Sequence, residues 1–150
     1  MQIRVQVSIN GSREEIWKVI TDIENSVDRI SAIDEIEILD KPESGLVGLK
    51  WRETRTMFGK SATEVMWITD AVEDESYDVR AESHGMVYLS RLSISQEGDS
   101  HILSMEFGGE AQTFMGKLMS ATMGVFFKGA TERALLKDLE DLKAVVEAGP

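Results

Sequence analysis

No cysteine occurs in the 150 residues, which removes disulfide bonds, thiol nucleophiles and cysteine-held metal sites in one step. Positive charge is scarce: 16 Lys and Arg face 27 Asp and Glu, giving a net charge of −11. A nucleic-acid partner needs clustered Lys and Arg to displace counterions from phosphates, so that class is excluded. The same acidic excess favours solubility and disfavours anionic membrane surfaces. Histidine is limited to His84, in a predicted turn before Gly85, and His101, at a strand start after Gly98-Asp99. They lack ligand spacing, and no metal is expected. No Gly-rich phosphate loop is present, since Gly108-Gly109 has neither the lysine nor the spacing. No apolar run approaches the length of a membrane span, so no stable membrane insertion is expected. The opening Met1-Gln2-Ile3-Arg4-Val5-Gln6-Val7 alternates apolar and polar. A signal peptide would be unbroken and apolar there, and the cytoplasm is the expected compartment.

What remains is the composition of a folded domain, with 42% apolar and 29% charged residues. The length suits a single domain over residues 1–150, without internal repeat or linker. Ile3, Val5, Val7 and Ile9 share one face of a predicted half-buried strand. Asn10-Gly11 supplies a turn, and Ser12 with Glu15 has capping-box spacing. Helical spacing follows in Ile16, Val19, Ile20 and Ile23, with a second short helix or turn through about Ile33. Between Glu35 and about Glu110 the texture becomes short β-rich runs: 36–39, 46–57, 61–72, 77–83, 87–95 and 101–108. Turn residues such as Phe58-Gly59 and Glu97-Gly98-Asp99 separate them, implying an antiparallel meander. Residues from about Thr113 to Ala148 read as one helix, about 50 Å long at ~1.5 Å per residue. Its first half is apolar nearly all round. Its second half sets Leu135, Leu139, Leu142 and Val146 against Lys137, Asp138, Glu140 and Lys143.

Three stretches carry a resemblance. Ser12 to Glu24 looks like an opening helix ending in a Thr21-Asp22 pair, and Val47 to Arg55 like a strand after a Gly-containing turn. Leu135 to Lys143 resembles a characteristic helix ending. With the order strand, two short helices, six strands and long helix, the whole chain resembles the START-like superfamily (SRPBCC, polyketide cyclase/dehydrase and lipid transport). The resemblance implies an α+β helix-grip fold: a seven-stranded antiparallel sheet wrapped around a long C-terminal helix, with two short helices after strand 1. It implies a hydrophobic cavity between sheet and helix. It specifies the fold well and the activity poorly, since one fold hosts many functions. Ser26-Val27-Asp28-Arg29 stands where family members often carry Pro and Trp.

A helix apolar on every face is buried all round, lines a cavity or meets a partner. Met115, Met119 and Met123, with Leu118, Thr122 and Phe126 on the adjoining face, suit a site accepting variable apolar shapes. Simple core packing accounts equally for any one of them. Trp51, Glu53 and Arg55 share a strand face with Leu49 and Met57. Pointing inward, Glu53 and Arg55 would form a buried pair able to anchor a ligand carboxylate or hydroxyl. Pointing outward, they would form a solvated pair. Further same-face sets are Tyr77, Val79 and Ala81; Tyr88, Leu92 and Ile94; and Leu103, Met105 and Phe107. The Tyr88 hydroxyl meets either the polar end of a ligand, or water or a backbone carbonyl. The strand from Ser61 to Thr69 is ambiguous, because Met66 and Ile68 compete with Val65 and Trp67 for the inner face. Glu64, Glu82 and Glu106 define no reaction by themselves, and Glu140, Asp141 and Glu147 read as a solvated helix face.

The leading expectation is binding or transport of a hydrophobic small molecule (lipid, isoprenoid or polyketide-like) without cofactor or metal. One alternative is a polyketide cyclase or dehydratase using Glu53, Arg55 or Tyr88 for proton transfer in the same cavity. Another is a protein-interaction module using the apolar helix face.

Overall fold

The computed structural model describes residues 2–57, 59–83, 85–111 and 114–149, with side chains described outside 110–127. His84 lies outside the described residues. Period-two alternation builds β1 (Gln2–Ile9), which buries Ile3, Val5 and Ile9. The helix α1 (Arg13–Ile20) starts as its capping signal predicts. The Glu15 N–H donates to the Ser12 hydroxyl over 3.1 Å, and the Ser12 N–H donates to the Glu15 carboxylate over 3.2 Å. These two bonds satisfy amides that have no partner within the helix. The second short helix is a 3₁₀ segment, Ile23–Asp28, with Ile23 buried.

Six strands follow: β2 (Ile33–Asp40), β3 (Lys50–Met57), β4 (Lys60–Val72), β5 (Ser76–Ser83), β6 (Met86–Glu97) and β7 (Ser100–Ala111). All neighbours pair antiparallel, in the order β1-β7-β6-β5-β4-β3-β2. β3 begins four residues later than the expected 46–57, at Lys50. Gly48 turns the chain there at φ +96°, and its N–H donates to the Ile68 carbonyl over 2.9 Å. Only a residue without a side chain adopts that backbone cheaply.

The long helix α2 (Phe114–Ala148) packs on β1 and β7. Leu135, Leu139, Leu142 and Val146, at helical spacing, enter the core with Ile9, Ile16, Ile68 and Leu103. The C-terminal end of α2 is pinned to the β1–α1 turn. A side chain on Gly11 would come within 2.7 Å of Val146 Cγ1. The Asn10 N–H donates to Glu147 over 2.8 Å, and His101 Nδ1–H donates to the Gly11 carbonyl over 2.7 Å. His101 is thus engaged in holding a turn.

On the outer face of the sheet, Arg4–Glu106, Arg52–Glu37 and Arg91–Asp78 pair in solvent. Such exposed pairs each add about 0–1 kcal/mol.

Stability should follow this packing. Leu103→Ala is expected to cost about 2–5 kcal/mol, and Ser12→Ala about 0.5–2 kcal/mol. Urea unfolding checks both, and a smaller loss at Leu103 than at Ser12 would contradict the core assignment.

Candidate functional site: a cavity with a buried charged end

Sheet, α2 and the α1–3₁₀ segment line a cavity of about 240 Å³. Its walls follow from strand alternation. On β3, Trp51 and Glu53 are buried while their neighbours Lys50 and Arg52 are exposed. This settles which face of β3 points inward. On β4, Met66 and Ile68 take the inner face, and Trp67 turns outward beneath Lys50, whose Nζ lies 5.6 Å from the indole centre.

The inner face of β3 continues to Arg55, which gives the cavity a charged end. Arg55 Nε–H donates to Glu53 Oε2 over 3.0 Å, and its Nη1–H donates to Asp138 Oδ2 over 2.9 Å. Trp51 Nε1–H donates to Glu53 Oε1 over 3.2 Å. Glu53 and Asp138 side chains are only 10% and 8% exposed, so this is a buried network spanning β3 and α2. Glu64 of β4 pairs with Glu53 in register and lines the same cavity. Like charges placed opposite each other across strands repel when both are ionised.

Asp138 corrects the division of α2 into an apolar stripe and a polar side. Its charge sets it with Lys137 and Glu140, yet it lies three residues after Leu135 and four before Leu142, on the buried stripe. Thr131 lies on the same stripe, and that spacing is the signal by which both can be found. Burial raises the Asp138 carboxyl above its usual range, although Arg55 pulls the other way. Arg55 is shared with Glu53, and Asp138 Oδ1 is buried without a hydrogen-bond partner among the described residues. Burial works to lower the Arg55 pKa, but Asp138 and Glu53 outweigh it and hold the guanidinium charged. Asp141 also departs from a purely solvated role. Its Oδ2 accepts bonds from the Ser31 N–H and hydroxyl, each over 2.9 Å, and Lys137 pairs with its other oxygen.

The aromatic lining is held by its own contacts. The Tyr77 hydroxyl donates to the Ile20 carbonyl over 2.8 Å, and burial followed by the Glu53 charge raises its pKa. Tyr88 stacks on Phe107 with ring centres 5.7 Å apart. Gly109 is its register partner, and a side chain there would come within 3.3 Å of the Tyr88 ring. Burial, then Glu64, raises the Tyr88 pKa, which keeps the phenol neutral.

Of the candidates read from sequence, Trp51, Glu53, Arg55, Tyr77, Val79, Tyr88, Leu92, Met105 and Phe107 line the cavity. Leu103 does not. It pairs in register with Val7 and Ile94, where the interior is filled, and is 0% exposed. Met115, Leu118, Met119, Thr122, Met123 and Phe126 belong to α2, with side chains outside the described residues. The lining residues that sequence reading misses include Asp138, Thr131, Ile30 and Ser26. Among the described residues, no group of three or more His, Cys, Asp or Glu has a metal-holding arrangement.

A family model described as polyketide cyclase / dehydrase and lipid transport matches residues 1–147. No curated protein sequence matches the chain. Among solved structures, a protein from Thermus thermophilus superposes with a TM-score of 0.81 at 12% identity, over 99% of this chain and 98% of that one. The Zhui aromatase/cyclase from a Streptomyces species gives 0.78 at 15% identity, over 98% and 93%. A START superfamily protein from Mycobacterium smegmatis gives 0.69 at 19% identity, over 94% and 98%. At these identities the structural likeness establishes the fold.

Two outcomes test the charged network. Arg55→Met strands Glu53 and Asp138 in the interior and should cost about 3–5 kcal/mol, because removing one partner leaves uncompensated buried charge. Adding Glu53→Gln and Asp138→Asn should recover much of that loss in urea unfolding. The second outcome is a pH dependence. With its folded pKa raised, Asp138 binds a proton more readily in the folded than in the unfolded chain. Its contribution therefore falls as pH rises from the ordinary Asp range through the folded value. The stability of the native protein minus that of Asp138→Asn should decline across that window, and a rising difference would contradict the burial effect.

Proposed function

Because the chain belongs to the polyketide cyclase / dehydrase and lipid transport family, we propose that it binds a hydrophobic small molecule between its sheet and α2. One observation carries the reading: a pocket of about 240 Å³ has apolar and aromatic walls and a small polar group set at one end. That is the usual composition of a small-molecule site, where apolar surface supplies affinity and a few polar atoms fix orientation. The volume falls just below the ~300–1,000 Å³ of typical ligand pockets. It favours a compact ring system over a long acyl chain.

A second reading, a cyclase-type enzyme, is favoured by Asp138. A general acid or base works best with a pKa near the operating pH, and burial moves this carboxyl upward from its ordinary range. Tyr88 and Arg55 line the same space and would hold a substrate oxygen. A structurally similar protein is named an aromatase/cyclase. The interaction-module reading has no comparable observation behind it.

Native mass spectrometry of gently purified protein should reveal a co-purified apolar molecule. Added bicyclic aromatic probes should raise the melting temperature, since a ligand at 100 times its Kd stabilises the folded state by about 2.7 kcal/mol. Ala81 lines the cavity, so Ala81→Trp should fill it and abolish the shift. If neither compact nor long-chain apolar probes bind the native protein, the binding reading falls. Turnover of a reactive polyketide mimic, lost in Asp138→Asn, would select the enzyme.

A further inference from the structure

On the premise that the cavity binds an apolar molecule, we infer that Gly109 sets the width of ligand it admits. The glycine lets the Tyr88 ring lie over β7, so that a flat fused-ring molecule can occupy the space above Ala81 and Ser90. Strand register lays this out. On the inner face, Trp51, Met66, Ala81, Tyr88 and Gly109 are successive cross-strand partners from β3 to β7. Cβ atoms of such partners lie about 4.5–5.5 Å apart, so a large side chain in the row leans over a small neighbour. Tyr88 has one on each side, Ala81 on β5 and Gly109 on β7. It takes the β7 side. Its Cδ1 and Cε1 lie 3.3 and 3.4 Å from where a Gly109 Cβ would stand, and Met86 Cε lies 3.3 Å from the same point. Phe107, two residues before Gly109 on β7, holds the ring there by stacking, with 14° between the planes.

The consequence falls on the other side of the ring. Ala81 and Ser90, diagonal neighbours on β5 and β6, line the cavity with small side chains. Met66 on β4 and Tyr88 on β6 bound this low floor, and both line the same space. The backbones of β4 and β6 are two strand spacings apart, about 9.5 Å. How far the Tyr88 ring leans away therefore decides how much of that width a ligand can use. The backbone does not demand glycine at 109, which is not among the left-handed positions of the chain. A glycine inside a strand weakens it and often marks a place that something must approach closely. Here the approaching group is the Tyr88 ring, and the space it vacates lies on the cavity side.

The test pairs p-cresol, a single ring, with 2-naphthol, two fused rings; both carry one phenolic hydroxyl. Calorimetry gives their dissociation constants. Gly109→Val sets branched methyl groups against the Tyr88 ring and drives it over Ala81. The preference for naphthol over cresol should then fall about tenfold, the scale of an overpacked site. Gly109→Ala should lower it less. Adding Tyr88→Ala to Gly109→Val should restore the preference, because the glycine acts through that ring. In the native complex, nuclear Overhauser contacts should join the naphthol ring protons to the Ala81 methyl. Circular dichroism reports folding: if the valine variant does not fold, Gly109→Ala carries the comparison, and if neither folds, the native contacts decide. Three results would each overturn the inference and leave apolar binding standing. They are an unchanged preference in a folded Gly109→Val protein, no restoration by Tyr88→Ala, and a bound naphthol that touches Leu92 and Met105 but not Ala81. If neither probe binds the native protein, both readings fall.

Discussion

A guanidinium held in a largely apolar interior must be paired, and the rest of the structure is organised around that requirement at Arg55. Two carboxylates meet it from different parts of the chain. Glu53 is supplied by the same strand two positions earlier, whereas Asp138 comes from α2, 83 residues further along. Leaving one partner out would expose a buried charge, which is far more costly than forming the set is rewarding. The pairing therefore contributes specificity: it fixes how far α2 slides and turns over the sheet. The second tether, where Glu147 and Val146 meet Asn10 and Gly11, fixes the other end of the same helix face.

Between these two anchors the interior divides. Towards the β1–α1 turn it is solid, filled by Ile9, Ile16 and Leu103. Towards Arg55 the inner face carries small residues, Ala62, Ala81 and Ser90, which leave space that the larger side chains around them do not close. Gly109 extends the same logic by making room for the Tyr88 ring, which then stacks on Phe107. Apolar walls raise the electrostatic stakes of every polar group at the charged end, because neither water nor protein screens them well. The Asp138 oxygen, which has no hydrogen-bond partner among the described residues, is a cost to stability that a packed apolar core would not carry. Departures of that kind are characteristic of functional sites.

The sequence by itself determined the architecture. Period-two runs, turn residues, the Ser12–Glu15 cap and the helical stripe from Leu135 to Val146 are local patterns, and each was realised where local chemistry required it. It also determined the inner-face partners of most strands, since alternation fixes one face once a single residue is known to point inward. What it left open was anything decided by contacts between distant segments. Whether Glu53 and Arg55 face inward depends on Asp138 waiting across the interior, and Asp138 is charged, so counting residue types puts it on the solvent side. The choice between Met66 and Trp67 was settled by register with β3 and β5 and by Lys50 above the indole. Leu103 and Leu92 share a face-type by alternation, but only packing decides that one is buried in solid core and the other borders a cavity. Periodicity reports which way a side chain points; how much space it finds there is a property of the assembled tertiary structure.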